Sequence, residues 1–322
     1  MGDEGTRLDG RYRLERRIAV GGAAEVWRGH DETLGRTVAI KVILADGGVA
    51  LVRSEARAVA ALAHPNIAEV FDVGVWRTPQ GPALPYLVME FADGRTLAQH
   101  MRSGPLDWRI GVRVCAEVSA GLAAAHVAGV VHRDVKPANV ILTPYGAKVL
   151  DFGISVTAGS DDHLDDGTIV GTPAFMAPER FHGHPAAPAT DMYALGVLLF
   201  LCLANRLPFP PPPRSGDVIA PPPVVGPARL PAIDGLPAEV ADVCLSCLDP
   251  DPDQRPTSFA AALLLAEAVD ARVHLPPLAP PPAPPDEPVS PWTDAAAEAS
   301  TDIGQTLPDG AAAAVGVGRH RA

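Results

Sequence analysis

Cysteine is scarce: the 322 residues contain four, which is no disulfide framework for a chain of this length. Cys244 and Cys247 form a C-x-x-C, but no second Cys or His pair follows at zinc-binding spacing. They lie at i and i+3 of the apolar stretch Val240 to Leu248 and read as the buried face of a helix. Cys115 and Cys202 read as core residues likewise. Positive charge is also short, with 26 Lys and Arg against 38 Asp and Glu, a formal net charge of −12. That balance argues against a nucleic-acid or anionic-membrane surface, since both partners are anionic. No apolar run approaches the ~20 residues of a membrane span, and the longest candidate, Met192 to Leu203, is shorter. The N-terminus, Met-Gly-Asp-Glu, lacks the basic-then-apolar order of a signal peptide. Gly2 and Thr6 fit a myristoylation pattern only in outline. A soluble, cytoplasmic chain with no membrane span is the expectation.

What is present is enough for a sizeable core: 47% of the residues are apolar, with Ala and Val prominent. The length suits one two-lobed domain plus a tail, or two ordinary domains. Residues 1–11 read as an N-terminal extension. From Tyr12 to Ala92 the chain reads as a small strand-rich lobe. Val38 to Val42 and Tyr86 to Glu90 are strands by their β-branched and aromatic content, and Leu51 to Leu62 has helical apolar spacing between them. Asp93-Gly94 breaks the pattern, and helical segments then dominate: Thr96 to Val127, Asp191 to Ala204, Pro237 to Leu248 and Phe259 to Val269. Strands followed by helices predict an α+β, bilobal fold, with lobes of about 12–92 and 93–271. Pro208 to Pro231 is too rich in proline for a continuous helix. From 272 to 322, Pro and Ala prevail with few large apolar groups, the composition of a disordered tail with polyproline II character near Pro280-Pro281-Pro282.

The most informative stretch is His132-Arg133-Asp134-Val135-Lys136-Pro137-Ala138-Asn139, followed by Asp151-Phe152-Gly153. It brings a carboxylate able to accept a hydroxyl proton, a lysine able to hold phosphate, and two hard oxygen donors of the kind Mg²⁺ prefers onto neighbouring loops. Phosphoryl transfer asks for such positioning and charge neutralisation more than for covalent help. The eight-residue run and Asp-Phe-Gly, in this order and spacing, resemble eukaryotic-type (Hanks-type) Ser/Thr protein kinases, most closely the bacterial PknB-like branch. The resemblance covers about residues 12 to 270.

It implies ATP and Mg²⁺ as cofactors, with Mn²⁺ as a substitute, and protein substrates that include the chain itself in trans. Asp134 would orient and deprotonate the acceptor hydroxyl, Lys136 would contact the transferring phosphate, and Asn139 and Asp151 would be the metal ligands. Lys41, in Val38-Ala39-Ile40-Lys41, resembles the lysine that contacts the α- and β-phosphates. Burial would cost that lysine its charge without a carboxylate partner, for which Glu55 is the expectation and Glu69 the weaker alternative. Ile18 to Val26 aligns with the glycine-rich phosphate loop, but Ala19 and Ala24 stand at its first and third glycine positions. Gly21 keeps its place and Gly22 follows. Each added methyl hinders backbone approach to phosphate, so weaker or slower nucleotide handling is expected. Val26, Ala39 and Ile141 would sandwich the adenine, Ile18 would close over it, Met89 would line the back of the pocket, and the backbone of Glu90 and Ala92 would pair with the base.

Gly171 to Glu179 resembles the end of an activation segment, in which Thr172 would bond near Asp134 and Lys136. Glu179 would form a buried ion pair with Arg255, and Asp191 would pin the catalytic-loop backbone. His132 and Phe152, with Val59 and Val70, would form an apolar column between the lobes. Lys136, two positions after Asp134, points to Ser/Thr as acceptor. Arg133 marks relatives in which a phosphorylated activation-segment threonine pairs with that guanidinium. Thr168 is the chosen site, although Asp161, Asp162, Asp165 and Asp166 could satisfy Arg133 in part. Two other readings stand beside the kinase. A pseudokinase scaffold is favoured by the altered glycine loop. A small-molecule phosphotransferase would lack Ala177-Pro178-Glu179 and the Asp191 helix. The tail, with Thr301 and Thr306, is expected to be dispensable for catalysis and able to bind signalling modules.

Overall fold

The computed structural model describes residues 3–21, 24–44, 56–77, 83–152, 173–210 and 226–277, and the backbone of 214–215 and 218–219. Six antiparallel strands form the N-terminal sheet: β1 (Arg7–Leu8), β2 (Tyr12–Val20), β3 (Ala24–Asp31), β4 (Arg36–Ile43), β5 (Val70–Arg77) and β6 (Ala83–Glu90), in the order β1-β2-β3-β4-β6-β5. Alternation sends every second side chain to the opposite face. Val38, Ile40 and Val42 of β4 join Tyr86 and Val88 of β6, Trp27 and Leu14 in one apolar cluster. The intervening Ala39 and Ile43, with Leu87 and Met89, pack into the core shared with the helical lobe. Lys41, in step with Ala39 and Ile43, is thereby placed on the cleft face. Gly29 is required where strands crowd: a Cβ there would lie 2.4 Å from Ile40 Cδ1 and 2.9 Å from the Arg13 carbonyl.

Residues 1–11, read as an extension, contribute edge strand β1, and Leu8 is fully buried. Next to it, Asp31 accepts two hydrogen bonds from Arg11, at 2.8 and 2.7 Å. That guanidinium holds the carboxyl down to about 2. The helical segment expected over Leu51 to Leu62 is described from residue 56, and it is helical over 56–60, ending before Ala61 and Leu62. Its following loop is sewn to the lower lobe: Ala68 N–H donates to the Val149 carbonyl (3.0 Å), Val149 N–H to Asn66 O (2.9 Å), and Asn66 Nδ2 to Ala147 O (2.8 Å).

Below the hinge, a three-stranded sheet of β7 (Arg95–Thr96), β8 (Val140–Thr143) and β9 (Gly146–Val149) lines the floor of the cleft. Gly94 must be glycine, because a Cβ would lie 2.2 Å from the Leu142 carbonyl. Helix α1 (Leu97–Arg102) starts on a capping box, with Thr96 Oγ1 accepting from Gln99 N–H and Gln99 Oε1 from Thr96 N–H. Then come α2 (Trp108–Val127), α3 (Pro188–Ala204), α4 (Ala238–Cys247) and α5 (Ser258–Ala268). Asp107 caps α2, and Thr257 caps α5. Against the expectation of no apolar run near membrane length, α2 has 20 residues and is long and apolar enough to cross a bilayer. Over its most apolar 18 residues 72% is buried within the lobe, as a core helix requires. Helix α3 is buried nearly all round, which explains its lack of a polar face.

All four cysteines are buried and free. Between Pro208 and Pro231 the described residues contain no helix, only the short pair β10 (Arg214–Ser215) and β11 (Val218–Ile219). The segment placed in the tail from 272 begins later: Val273 packs on the core, and the His274 carbonyl accepts from His64 Nε2 at 3.0 Å. The compact unit runs to Pro276.

Candidate active site

The loop between α2 and β8 carries the charged run and hangs from one buried carboxylate. Asp191, 1% exposed near the start of α3, accepts from His132 N–H (Oδ2, 2.8 Å) and Arg133 N–H (Oδ1, 2.8 Å). Arg133 has φ 70°, a left-handed conformation that non-glycine residues hold at a cost of about 1–3 kcal/mol. The two bonds to Asp191 over-determine the turn and keep it there. His126, at the end of α2, also meets Asp191 Oδ2 at 2.9 Å, and its Nδ1 lies 2.9 Å from Ser258 Oγ. The carboxylate can only accept, so Nε2 carries the proton.

His132 is a neutral imidazole by geometry. Asp134 N–H donates to its Nδ1 (3.1 Å), so Nε2 is protonated and donates to the Leu150 carbonyl (2.8 Å). Its ring meets Phe152 edge to face, with centroids 4.6 Å apart. Val59 is buried in the same core as Phe152, and Val70 packs against it. Asn139 Nδ2 donates to the Asp134 carbonyl (2.8 Å) and to its Oδ2 (3.0 Å), and Lys136 Nζ lies 2.5 Å from the same Oδ2. The loop thus presents Asp134, 39% exposed, with one carboxylate oxygen already oriented by two donors.

Across the cleft Lys41, 8% exposed, pairs with Asp151 Oδ1 at 3.0 Å. Asp151 too is left-handed, at φ 59°. Glu55, the expected partner of Lys41, lies outside the described residues. Glu69 is not that partner: it is exposed, and its carbonyl accepts from Glu90 N–H at 2.8 Å. Gly22, Thr168 and Thr172 also fall outside the described residues.

Between the lobes is a cavity of about 620 Å³, lined by Ile18, Val26, Ala39, Met89, Glu90, Ala92, Ile141, Asn139 and Asp151 among others. Its apolar part is a slot between Val26 and Ala39 of the roof and Ile141 of the floor. With the Glu90 N–H engaged by Glu69, the carbonyl is the backbone group that Glu90 can offer a ligand. Gly21 stands at the β2–β3 turn, where its N–H donates to the Ala24 carbonyl at 2.8 Å. A Cβ on it would meet only ordinary contact, so local packing alone does not demand this glycine.

Below the floor, Glu179 and Arg255 meet in a bidentate pair, at 2.7 and 2.8 Å. Arg255 also donates to the carbonyls of Ala189 (2.9 Å) and Asp249 (2.8 Å), and its guanidinium lies over the Tyr193 ring.

Asn139 and Asp151 fit a magnesium ion. With Nδ2 of Asn139 turned to Asp134, its oxygen is the end left to bind metal, and Asp151 adds a carboxylate. Among the described residues no cluster of three or more His, Cys, Asp or Glu could hold a metal. Two protein oxygens, completed by phosphate and water, match the habit of Mg²⁺. Sequence reasoning missed several neighbours. Leu150, Arg95 and Gln99 also line the cavity, His126 braces Asp191, and Lys148 Nζ pairs with Glu90 Oε2 at 2.9 Å. Only Leu150 carried a signal, being next to Asp151.

A strand lobe over a helical lobe, with this loop facing a nucleotide-sized cleft, defines the protein kinase class. The family described as "Protein kinase domain" matches residues 12–268, and the chain belongs to it. It is 38% identical over 236 residues to the serine/threonine-protein kinase PknA of Mycobacterium tuberculosis, covering 66% of this chain and 55% of that protein. To Pkn1 of Myxococcus xanthus it is 38% identical over 285 residues, covering 82% of this chain and 39% of the relative. The matched region thus spans about half or less of these relatives' lengths. In fold it is similar to the crystal structure of the Mycobacterium tuberculosis PknI kinase domain, with TM-score 0.63 and 24% identity over 83% of this chain and 99% of that one.

Proposed function

We propose that this chain is an ATP-dependent protein kinase that phosphorylates serine and threonine side chains. The observation that carries the reading is the pairing across one cleft: Lys41 with Asp151 on one side, Asp134 with Lys136 and Asn139 on the other. Adenine would lie in the slot between Val26, Ala39 and Ile141, bonding to the Glu90 carbonyl and the Ala92 N–H. Lys41, held near Asp151, would reach the α- and β-phosphates. Asn139 and Asp151 would hold Mg²⁺, which when bound neutralises phosphate charge; Mn²⁺ fits the same oxygen donors.

Asp134 would accept the proton of the acceptor hydroxyl as that oxygen attacks the γ-phosphorus and the bond from the γ-phosphorus to the bridging oxygen breaks, releasing ADP. Asn139 and Lys136 hold the carboxylate in register, and Lys136 follows the transferring group as its charge moves. Its position two residues after Asp134 supports Ser/Thr over Tyr. The test is transfer from labelled ATP with Mg²⁺, comparing wild type with Asp134→Asn. Loss of the base lowers the rate by about 10²–10⁴-fold. Equal rates would overturn the assignment. A binding scaffold is the second reading, resting on Ala19 and Ala24; nucleotide binding without any transfer by the wild type would decide for it.

Regulation follows from Arg133, directly before Asp134. Phosphate on Thr168, added between molecules, would bring about −1.5 to −2 charges to that guanidinium and order the segment up to Glu179. Mass spectrometry of the ATP-treated protein should find phosphate on Thr168, and Thr168→Ala should lower activity. Unmodified Thr168, or full activity in the variant, would remove the proposal.

A further inference from the structure

We infer that Lys148 is a positioning residue for nucleotide binding, fixing the hinge through the carboxylate of Glu90. The inference rests on the kinase reading above. Of the 26 basic side chains only three are lysine: Lys41, Lys136 and Lys148. Each ammonium lies against a carboxylate of a residue at or next to the cleft, Lys41 on Asp151 (3.0 Å), Lys136 on Asp134 (2.5 Å) and Lys148 on Glu90 (2.9 Å). Surface pairs of the upper sheet, Arg7–Glu32, Arg13–Glu32 and Arg28–Glu15, use arginine instead. A chain that favours arginine so strongly keeps lysine where a compact point charge is needed and a planar fork does not fit.

The surroundings of Lys148 match that need. Its Nζ faces two acceptors converging on one point, Glu90 Oε2 and, at 3.5 Å, the Ile67 carbonyl. Glu90 Oε2 also lies 3.4 Å from Glu69 N–H, and Glu90 N–H donates to the Glu69 carbonyl at 2.8 Å. Glu90 is therefore gripped at backbone and side chain, which fixes a hinge residue that lines the cavity. Lys148 is only 18% exposed and does not itself line the cavity, so it acts through Glu90. It also lies three residues before Asp151, so one short segment sets both the hinge and the metal-binding carboxylate. Loosening the contact should cost nucleotide affinity while the reacting groups stay in place.

The experiment measures ATP affinity by calorimetry, and KM and kcat for transfer, in wild type, Lys148→Met, Lys148→Arg, Glu90→Gln and the double variant Lys148→Met/Glu90→Met. Lys148→Met should raise Kd and KM for ATP about 5–20-fold, as loss of a half-buried charged hydrogen bond implies, with kcat changed less than about threefold. Lys148→Arg should recover only part, and the double variant should bind no worse than Lys148→Met. Unchanged Kd in Lys148→Met, or a fall in kcat at constant Kd, overturns the inference. If Lys148→Met does not fold, Glu90→Gln decides: a rise of about 2–5-fold in Kd supports the contact, and none overturns it. A wild type that binds ATP but transfers no phosphate sinks the enzymatic reading alone, since Kd still judges Lys148.

Discussion

The floor of the cleft is fixed by polar groups bonded inside the protein, whereas the phosphate-loop end of the roof, Arg16 to Val20 of β2, is held by backbone pairing with its side chains exposed. On the floor, Asp191, His132 and Asn139 are each less than 10% exposed, and their hydrogen bonds close on one another. On the roof, Ile18 is 49% and Val20 61% exposed, and the β2–β3 register shifts twice, between Leu14 and Arg16 and between Arg17 and Ala19. A saturated buried network has one low-energy arrangement. A strand end whose side chains are all exposed opens locally at little cost. The reacting groups are thus preorganised, while the surface that must admit and release nucleotide is left yielding.

Five changes test this contrast. Arg255→Ala should have the largest effect, about 3–5 kcal/mol of stability lost in chemical denaturation, because Glu179 is left without its partner. A loss below about 1 kcal/mol would mean the floor is not held this way. Next come Lys41→Met and Asp151→Asn, at the joint between roof and floor. Each should lower transfer about 10²-fold or more with the melting temperature little changed. Near-normal transfer in either would break the site assignment. On the roof, Ala19→Gly should lower KM for ATP by less than about fivefold and cost about 0.5–1 kcal/mol of stability. A larger loss of stability would show the roof to be stiffer than described.

The smallest effect concerns His64, in the loop joining roof to floor. Burial lowers the pKa of its imidazole, whose Nδ1 accepts from Asn66 N–H and whose Nε2 meets the His274 carbonyl. The folded protein therefore favours the neutral ring. That stabilisation is complete above the unfolded value near 6.5 and is lost as pH falls below it toward the folded value. Melting temperature should drop by about 2–4 °C between pH 7 and pH 5, and by less in His64→Gln. Asp31, held near 2 by Arg11, is silent in this window and loses its contribution only as pH falls from about 4 toward 2. Equal slopes for wild type and His64→Gln would assign the drop elsewhere.

The parts of this picture that were legible in the sequence are contiguous in the chain. His132 to Asn139 and the nearby Asp151 advertise themselves because neighbouring loops carry neighbouring letters. The strands at Val38 and Tyr86 showed through β-branched content, and helix ends were read within a few residues because caps and prolines mark them. Contacts between distant residues left no trace. Lys148 and Glu90 are 58 apart, His126 and Asp191 65 apart, His126 and Ser258 132 apart. Strand β1, two residues long, is too short to display a period. In α2, Arg113 and Glu117 interrupt the apolar run and pair with each other at 2.9 Å, which hid its length.

The burial of all four thiols has a practical consequence for labelling chemistry. Burial pushes Cys247 up to about 12 and raises Cys244 further, so neither offers a thiolate to an electrophile at neutral pH. Cys115 and Cys202 are equally enclosed. A cysteine introduced in place of Tyr145, whose residue is 95% exposed in the β8–β9 turn, would react with a maleimide dye far faster than any native thiol. The folded chain can then carry a single fluorophore on the lower lobe without first removing its own cysteines, and slow labelling of the remaining four would report unfolding.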